Sequence, residues 1–392
     1  MGPSSLPAED LKRVIARFGE NRTLPAPAYT DKDVLQWEKE NLFGGTWVCV
    51  GRIDDLLAPG QIRAIESNGE SVLLVRAADG TLTAFSNVCR HRGHELVPVG
   101  EAIDARLIQC PYHAWSYGFD GALRGAPTFT QTPGFEKSEF PLIAMGVADY
   151  CGWLWIDLSG EAPDIEAHFG NLAELIAPYE TGRLTTVARH DYVVDANWKI
   201  VVENYNECYH CSSIHPELCE VTPPDSGYDH QSTGMWCGGT MDLKPHAVTM
   251  SLDGNSNGVR FRAVDDDLAR HVWYLTVMPN LLLSLHPDYV MTHVLTPLST
   301  GSTRVECNWL FAPESTSAPG FDPAYAVDFW DITNREDWAA CEAVMRGVAN
   351  RGYRPGPLSS WEGTVYQFLG IMGNLYLGNG LVVPEVPAAE LR

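Results

Sequence analysis

Two short patterns of cysteine and histidine constrain the fold more than any other feature of the sequence. Cys89 and His91 form a Cys-x-His pair, and Cys110 and His113 form a Cys-x2-His pair after 18 further residues. Each pair is expected on a loop between strands, with the turn signal Asp120-Gly121 after the second, so that two neighbouring loops close on one cofactor. The pattern therefore predicts a small β domain built around this site.

The residue types narrow the choice of cofactor. A structural zinc ion takes the same four ligands, so the number of ligands leaves zinc open. Zinc sites favour two closely spaced cysteines with separate histidines, whereas one cysteine and one histidine per loop suits a [2Fe–2S] cluster with both cysteines on one iron and both histidines on the other. We interpret the pattern as an iron–sulfur site and keep zinc as the alternative.

A second candidate site lies at the end of a helix predicted over 197–212. His210 and His215 are five residues apart, so they do not lie on the same face of a regular helix. Pro216 disfavours the helical conformation at His215. We therefore expect the helix to end there and His215 to turn back toward a metal held by His210, although an isolated pair of histidines is also compatible with a structural role.

The third ligand is predicted from the C-terminal helix, expected over about 323–350. Asp337 falls within an apolar stripe of that helix, and a buried carboxylate needs a partner. The other members of the stripe are Trp330, Cys341, Val344 and Val348. Two histidines and one aspartate make the facial triad of non-haem Fe(II) oxygenases. Arg335 and Glu336 are expected to point away into solvent.

The two loops, Cys-Arg-His-Arg-Gly and Cys-Pro-Tyr-His-Ala-Trp, resemble the binding loops of Rieske domains. With the second site, the chain resembles the catalytic (alpha) subunit of Rieske non-haem iron oxygenases from its N-terminus to about residue 360. The resemblance implies an α+β fold in which a Rieske domain (46–160) is inserted in a helix-grip catalytic domain (161–392), and a helical arm (1–45) packs with the latter.

The same resemblance implies how such a protein works. It is a monooxygenase or dioxygenase with a Rieske cluster, a mononuclear Fe(II) and O2 as the oxidant. Its electrons come from NAD(P)H through a separate reductase or ferredoxin, in keeping with the lack of a dinucleotide-binding motif in this sequence. The family assembles as a head-to-tail homotrimer, in which the cluster of one subunit serves the iron of its neighbour through a bridging carboxylate.

By this resemblance Glu207 is the bridging carboxylate, expected on the same helix face as His210, and Asn204 is a hydrogen-bonding residue near the iron. Without the resemblance, Glu207 would be read as an exposed helix residue and Asn204 as a surface amide. Glutamate at this position, with the segments 331–337 and 353–357, resembles the branch that oxidises choline, carnitine and glycine betaine.

The substrate is expected to be a betaine-like quaternary ammonium compound that is hydroxylated or N-demethylated. The alternative is an aromatic or heteroaromatic ring hydroxylase or O-demethylase of the same family. The segment 221–262 does not resemble the quaternary ammonium branch. A substrate pocket is expected to vary in this part of the chain. Aromatic residues that could face a cation are Trp236, Trp273, Tyr274, Trp309, Tyr366 and Phe368. A pure electron carrier or a zinc-stabilised binding protein would leave the second site unexplained.

Composition excludes several other classes. The formal net charge of −23 repels nucleic acid and anionic membranes. No apolar run reaches the roughly 18–20 residues that a membrane-spanning helix needs, and the N-terminus lacks a signal pattern, so a cytoplasmic protein is expected. Ten cysteines are too sparse for a disulfide scaffold, and Cys208 and Cys211 are expected to be small packing residues.

Overall fold

The chain folds into two compact units. The structure, a computed structural model, describes residues 2–386, so Met1 of the predicted arm and residues 387–392 of the predicted catalytic domain lie outside the described part. One unit is Lys39–Ile165, and the other combines Met1–Glu38 with Glu166–Arg392. One unit is thus inserted within the sequence of the other, and both contain helices and antiparallel sheets, which confirms the α+β fold class.

The secondary structure consists of twelve α-helices and seventeen strands within residues 2–386. The helices are α1 (Ala8–Val14), α2 (Pro27–Thr30), α3 (Lys32–Glu38), α4 (Ile53–Leu56), α5 (Ile165–Phe169), α6 (Leu172–Ile176), α7 (Trp198–Tyr205), α8 (Cys211–Ile214), α9 (Pro216–Val221), α10 (Pro313–Thr316), α11 (Ala324–Val348) and α12 (Gly363–Leu377). The strands are β1 (Val48–Arg52), β2 (Gln61–Ser67), β3 (Glu70–Arg76), β4 (Leu82–Ser86), β5 (Ile103–Asp104), β6 (Ile108–Gln109), β7 (Ser116–Tyr117), β8 (Leu123–Gly125), β9 (Ala144–Tyr150), β10 (Trp153–Asp157), β11 (Thr185–Val194), β12 (Tyr228–His230), β13 (Trp236–Asp242), β14 (His271–Val277), β15 (Leu281–Leu285), β16 (Val290–Ser299) and β17 (Ser302–Phe311).

The Lys39–Ile165 unit contains a seven-stranded sheet, β1-β10-β9-β4-β3-β2-β5, and a three-stranded sheet, β6-β7-β8. Asp79-Gly80 is a turn signal in the sequence like Asp120-Gly121. Gly80 and Gly121 have φ of +90° and +78°, values that glycine adopts without strain. Asp79 accepts a hydrogen bond from the Thr81 backbone N–H at 3.0 Å in the first of these turns. The sequence signals for both turns are therefore confirmed.

The other unit contains one antiparallel sheet of seven strands, β11-β17-β16-β15-β14-β13-β12. Three runs of the sequence, 272–278, 290–297 and 303–311, are apolar and typical of strands. They correspond to β14, β16 and β17. His293 on β16 lies opposite Leu282 of β15 and Cys307 of β17. This register places a buried polar side chain in the middle of the sheet.

The helix predicted over 197–212 is interrupted, and this prediction was wrong in its second half. Helix α7 begins after Asn197, whose side chain accepts the Lys199 backbone N–H at 3.1 Å, and it ends at Tyr205. The Glu207 carboxylate then accepts the backbone N–H groups of Tyr209 and His210 at 2.5 and 3.1 Å. A carboxylate that accepts hydrogen bonds from backbone N–H groups competes with the carbonyl groups that would accept them in a helix. The chain therefore forms a turn here instead of continuing the helix.

Helix α12 is buried on all sides, because all its residues from Gly363 to Tyr376 are buried. Such a helix shows no amphipathic period, so the sequence pattern did not reveal it. It packs against α1, where a Cβ on Gly373 would lie 2.6 Å from the Ile15 side chain, so only glycine permits this close approach. Within residues 2–386, no helix is both long and apolar enough to cross a membrane.

Candidate metal centres and cavity

Two loops of the Lys39–Ile165 unit carry the first cysteine and histidine pairs and turn in the same way. The Cys89 carbonyl accepts the Gly93 backbone N–H at 3.0 Å, and the Cys110 carbonyl accepts the Ala114 backbone N–H at 3.1 Å. Gly93 and Ala114 both have positive φ. The repeated turn explains why each cysteine and its histidine lie on one short loop.

The four side chains differ in exposure. Cys89 and Cys110 are 3% and 2% exposed, whereas His91 and His113 are half-buried. The two imidazole rings lie side by side, with centroids 4.7 Å apart. Tyr117 was not predicted at this site, but its hydroxyl lies 3.3 Å from Cys89 Sγ and accepts the Arg90 backbone N–H at 3.1 Å. Its sequence position, four residues after His113, carried no signal for this contact.

These four residues fit a two-iron cluster better than a single ion. Among residues 2–386, one group of at least three possible ligand side chains has all its donor atoms within 4.8 Å of one another. That group does not include these four residues. A tetrahedral zinc ion at about 2.0–2.3 Å from each ligand would hold all four donors inside that limit. His91 Nδ1 is buried and has no hydrogen-bond partner among the described residues, as expected for an atom reserved for a metal.

The group that does converge consists of His210, His215 and Asp337. His210 Nε2 lies 3.2 Å from His215 Nε2 and 3.4 Å from Asp337 Oδ1, and His215 Nε2 lies 3.0 Å from the same oxygen. An ion held at about 2.1 Å by three donors at right angles would place them about 3.0 Å apart. The donor set and its spacing therefore fit a facial triad around one iron.

The backbone leaves the helical conformation at His215, as predicted from Pro216, and this turn brings His215 toward the other two ligands. His215 has φ of −120° and ψ of 72°, outside the helical region, and Pro216 begins α9. Asp337 projects from α11, which confirms the C-terminal helix and the position of this aspartate on its buried side. The predicted stripe is only partly correct, because Val344 is 49% exposed.

Each histidine of this group is held at its second ring nitrogen by a carboxylate. His210 Nδ1 lies 2.5 Å from Glu207 Oε1, and His215 Nδ1 lies 2.7 Å from Glu336 Oε2. The expectation that Glu336 points into solvent was wrong, because this contact draws the side chain toward His215. Metal-binding histidines usually donate their other N–H to a carboxylate, and that rule could have identified Glu336 beside Asp337.

Asn204 completes the contacts of the triad, since its Nδ2 donates to Asp337 Oδ1 at 2.6 Å. Glu207 lies in the turn after α7 rather than on a helix, so the expectation that it shares a helix face with His210 was wrong. The turn nevertheless brings its carboxylate to His210. Both residues predicted near the iron thus lie next to the candidate ligands.

The triad concentrates negative charge where a cation would bind. Burial alone would lower the pKa of His210, but hydrogen bonds with Asp337 and Glu207 outweigh burial and raise that pKa to about 10. Burial alone would raise the pKa of Asp337, but hydrogen bonds with His210 and His215 lower it to about 2. The carboxylate is therefore ionised at neutral pH, and the site holds positive charge readily.

Cys208 and Cys211 are joined by a disulfide, with Cα atoms 4.9 Å apart. The expectation that they are separate packing residues was therefore wrong. The turn that replaces the helix after Tyr205 brings the two side chains together across Tyr209 and His210. A reducing compartment disfavours disulfides, which is why sequence reasoning did not pair them.

A cavity opens beside the triad, with about 1110 Å³ of empty space including its mouth. Its inner wall carries aromatic side chains, and its mouth includes exposed aromatic residues. The aromatic residues are Tyr205, Tyr209, Tyr228, Tyr274, Trp330, Trp338 and Trp361. Asp225 and Asp229, from the divergent segment 221–262, also line it.

Only Tyr274 of the aromatic candidates from the sequence lines this cavity. Trp236, Trp309 and Phe368 are fully buried in the core, and Tyr366 packs on Phe18 with ring centroids 5.1 Å apart. The other cavity rings lie in α7, α11, β12 and the loops, where no sequence pattern set them apart from core or surface residues.

Comparisons with known proteins agree with these two centres. Residues 46–136 match the Rieske [2Fe-2S] domain, and residues 181–374 match the ring hydroxylating alpha subunit (catalytic domain). The carnitine monooxygenase oxygenase subunit of Escherichia coli strain K12 is 31% identical over 338 residues, which cover 85% of this chain and 86% of that protein. The chain belongs to the Rieske oxygenases. This oxygenase is therefore an oxidoreductase with a Rieske [2Fe–2S] domain and a catalytic domain that binds mononuclear iron.

Two further relatives extend the likeness over nearly the whole oxygenase. The glycine betaine monooxygenase oxygenase subunit of Pseudomonas aeruginosa is 28% identical over 408 residues, covering 95% of this chain and 94% of that protein. The crystal structure of the quaternary ammonium Rieske monooxygenase CntA with its substrate gamma-butyrobetaine matches with a TM-score of 0.75 and 25% identity, covering 95% of this chain and 99% of that chain.

Proposed function

We propose that this Rieske oxygenase hydroxylates a methyl group of a small quaternary ammonium compound. It uses O2 and electrons from a separate NAD(P)H-dependent reductase or ferredoxin. One oxygen atom enters the C–H bond, and the other leaves as water with two electrons and two protons. The hydroxymethyl ammonium product then releases formaldehyde and the demethylated amine. The observation that carries this proposal is the aromatic cavity beside His210, His215 and Asp337.

Aromatic rings in the inner cavity stand at steep angles to one another, so they present faces on several sides. Tyr205 and Tyr274 have centroids 6.0 Å apart and planes 73° apart, and Tyr274 and Trp330 have centroids 6.3 Å apart and planes 67° apart. A cation within about 6 Å of several such faces is attracted by their π electrons. A trimethylammonium group, which cannot donate a hydrogen bond, is suited to this environment.

We assign the metal groups to the residues that fit them. Cys89, Cys110, His91 and His113 hold the [2Fe–2S] cluster, and the triad of His210, His215 and Asp337 holds the mononuclear iron. When bound, the cluster supplies single electrons and the iron supplies the position at which O2 is activated. The protein's own part is to orient the ligands through hydrogen bonds, to hold the substrate methyl group beside the iron and to exclude bulk water.

The assembly that supports this chemistry is a head-to-tail homotrimer. In it Glu207 links the cluster of one subunit to the iron of the next, because its carboxylate contacts His210 directly. The related proteins are named oxygenase subunits, which supports a separate partner that supplies the electrons. Asn204 keeps Asp337 oriented through its 2.6 Å hydrogen bond to Oδ1.

A single-turnover experiment tests the function without the unidentified reductase. Holoprotein is reduced anaerobically, freed of reductant and mixed with O2 and a trimethylammonium compound, and formaldehyde is measured. We expect formaldehyde in amounts comparable to the iron-loaded sites, and none from Asp337→Ala, which should keep the cluster but lose the mononuclear iron. If only an aromatic ring compound is hydroxylated, the aromatic alternative replaces this proposal.

Glu207→Gln tests the bridging role. The amide keeps an oxygen that can accept from His210 Nδ1, so the cluster should remain bound, and the weakened mononuclear site is filled by reconstitution with excess Fe(II). Because the bridge loses its charge and acceptor strength, electron transfer from cluster to iron should slow by at least about tenfold. Rapid-mixing absorbance of the cluster during single turnover measures the rate. An unchanged rate with full iron content would remove the bridge from Glu207.

A further inference from the structure

His293 is a polar side chain in the wall of the cavity. It lies on β16, is 2% exposed and lines the cavity together with Asn334. Its ring centroid is 6.0 Å from that of Tyr205 and 5.9 Å from that of Trp338. It therefore belongs to the same enclosure as the aromatic rings that we assign to the cationic group.

The hydrogen bonds of Asn334 define the tautomer of His293. Asn334 Nδ2 donates toward Cys307 Sγ at 3.8 Å, which leaves the amide oxygen facing His293 Nε2 at 3.0 Å. An amide oxygen can only accept, so Nε2 carries the hydrogen and Nδ1 of the neutral ring has a lone pair. Burial lowers the pKa of His293 to about 4, in keeping with a neutral ring.

Nδ1 has no hydrogen-bond partner among the described residues. A buried acceptor without a donor is costly, and His293 lines the cavity, so a ligand whose donor group reaches Nδ1 would remove that cost. Asp225 and Asp229 add negative charge to the same cavity, which opposes a carboxylate on the substrate. Both features select for a ligand that brings a hydrogen-bond donor rather than an anionic group.

We propose that His293 is a specificity-determining residue whose Nδ1 accepts a hydrogen bond from a hydroxyl or N–H group of the substrate. The substrate class is then a quaternary ammonium alcohol or amine, and a compound ending in a carboxylate binds less well. This inference rests on the proposed function, because it places the substrate cation in the adjoining aromatic enclosure.

Binding to anaerobic holoprotein, measured by calorimetry, tests the inference without turnover. The probes are (2-hydroxyethyl)trimethylammonium, n-propyltrimethylammonium, which replaces the hydroxyl with a methyl group, and glycine betaine. The wild-type protein should bind the hydroxyl compound about tenfold more tightly than the propyl compound, and more tightly than glycine betaine.

His293→Gln keeps an amide N–H that can donate to Asn334 but removes the acceptor at the Nδ1 position, so the tenfold preference should fall to about one. His293→Asn places a polar amide near Nδ1 and should keep part of the preference. His286→Gln is the matched control, because His286 is also buried with unpartnered ring nitrogens but does not line the cavity. It should keep the whole preference.

Equal binding of the two cations by wild-type protein, or a preference that survives in His293→Gln, would overturn the role of His293 and leave the proposed function intact. Binding of an uncharged aromatic compound with no binding of any trimethylammonium probe would overturn both proposals. These outcomes are therefore distinguishable from one another.

Discussion

At the scale of single residues, the candidate iron site gains its order from carboxylates that are not ligands. Glu207 and Glu336 each contact the Nδ1 atom of one histidine, so both Nε2 atoms point toward Asp337. A carboxylate at this position fixes the tautomer and raises the basicity of the imidazole. With Asn204, which donates to Asp337, the geometry of the triad thus depends on six side chains rather than three.

Glu336→Gln should weaken Fe(II) binding at the mononuclear site by about 10–100-fold, because His215 loses its charged partner. Equilibrium dialysis with Fe(II) under anaerobic conditions measures the affinity, while the EPR signal of the reduced cluster should stay unchanged. Glu342→Gln is the control, since Glu342 lies on the same helix and is not among the contacts of the triad. Equal affinities in the two variants would show that Glu336 does not support His215.

At the scale of elements, a buried ion pair fastens the N-terminal helices to α7 and α12. Lys199 Nζ lies 2.6 Å from Glu38 Oε1, and both side chains are fully buried. Trp198 Nε1 donates to Glu38 Oε2 at 2.8 Å, and the Tyr376 hydroxyl also donates to this carboxylate. Because the Glu38 carboxylate accepts all these hydrogen bonds, the ion pair can be buried in the core. If one partner were removed, the remaining buried charge would strongly destabilise the fold.

Lys199→Met should therefore lower the free energy of unfolding by about 3–5 kcal/mol, because it leaves Glu38 buried without its cation. Denaturant titration followed by tryptophan fluorescence measures the loss. Lys12→Met is the control, because the Lys12–Glu9 pair on α1 has the same 2.6 Å separation but is exposed, so no measurable change is expected. Similar stability of both variants would show that the buried pair does not fasten these helices.

The sequence predicted helices and strands whose buried residues recur at a regular spacing. It did not predict elements that lack such a spacing. Strands β14, β16 and β17 and helix α11 were found from their apolar patterns, whereas α12 is apolar all round and gives no period. The break after Tyr205 depends on a single carboxylate, Glu207, that takes backbone donors. The candidate metal ligands could be proposed from the sequence because chemistry limits their residue types and spacing. Apart from Tyr274, the cavity rings could not, because the same aromatic residue types occur in a core and in a pocket.

At the scale of the whole molecule, the two metal centres belong to different compact units of the chain. The cluster residues lie in Lys39–Ile165, and the iron triad lies in the other unit. In the proposed reaction the electrons pass from one kind of unit to the other, either within a chain or between neighbouring chains. A cyclic trimer offers the second route, because a head-to-tail arrangement repeats the same contact at every interface.

Mixed trimers distinguish these routes. Cys110→Ser should lose the cluster and keep the iron, and Asp337→Ala should lose the iron and keep the cluster, so each variant alone should be inactive. Coexpression with different affinity tags yields trimers that contain both, and every head-to-tail ring of this kind has one interface where an intact cluster faces an intact iron. Purified mixed trimers should then give about one third of the wild-type formaldehyde per trimer. Mixed trimers as inactive as their parents would place the electron path within a single chain, because no chain in them carries both centres.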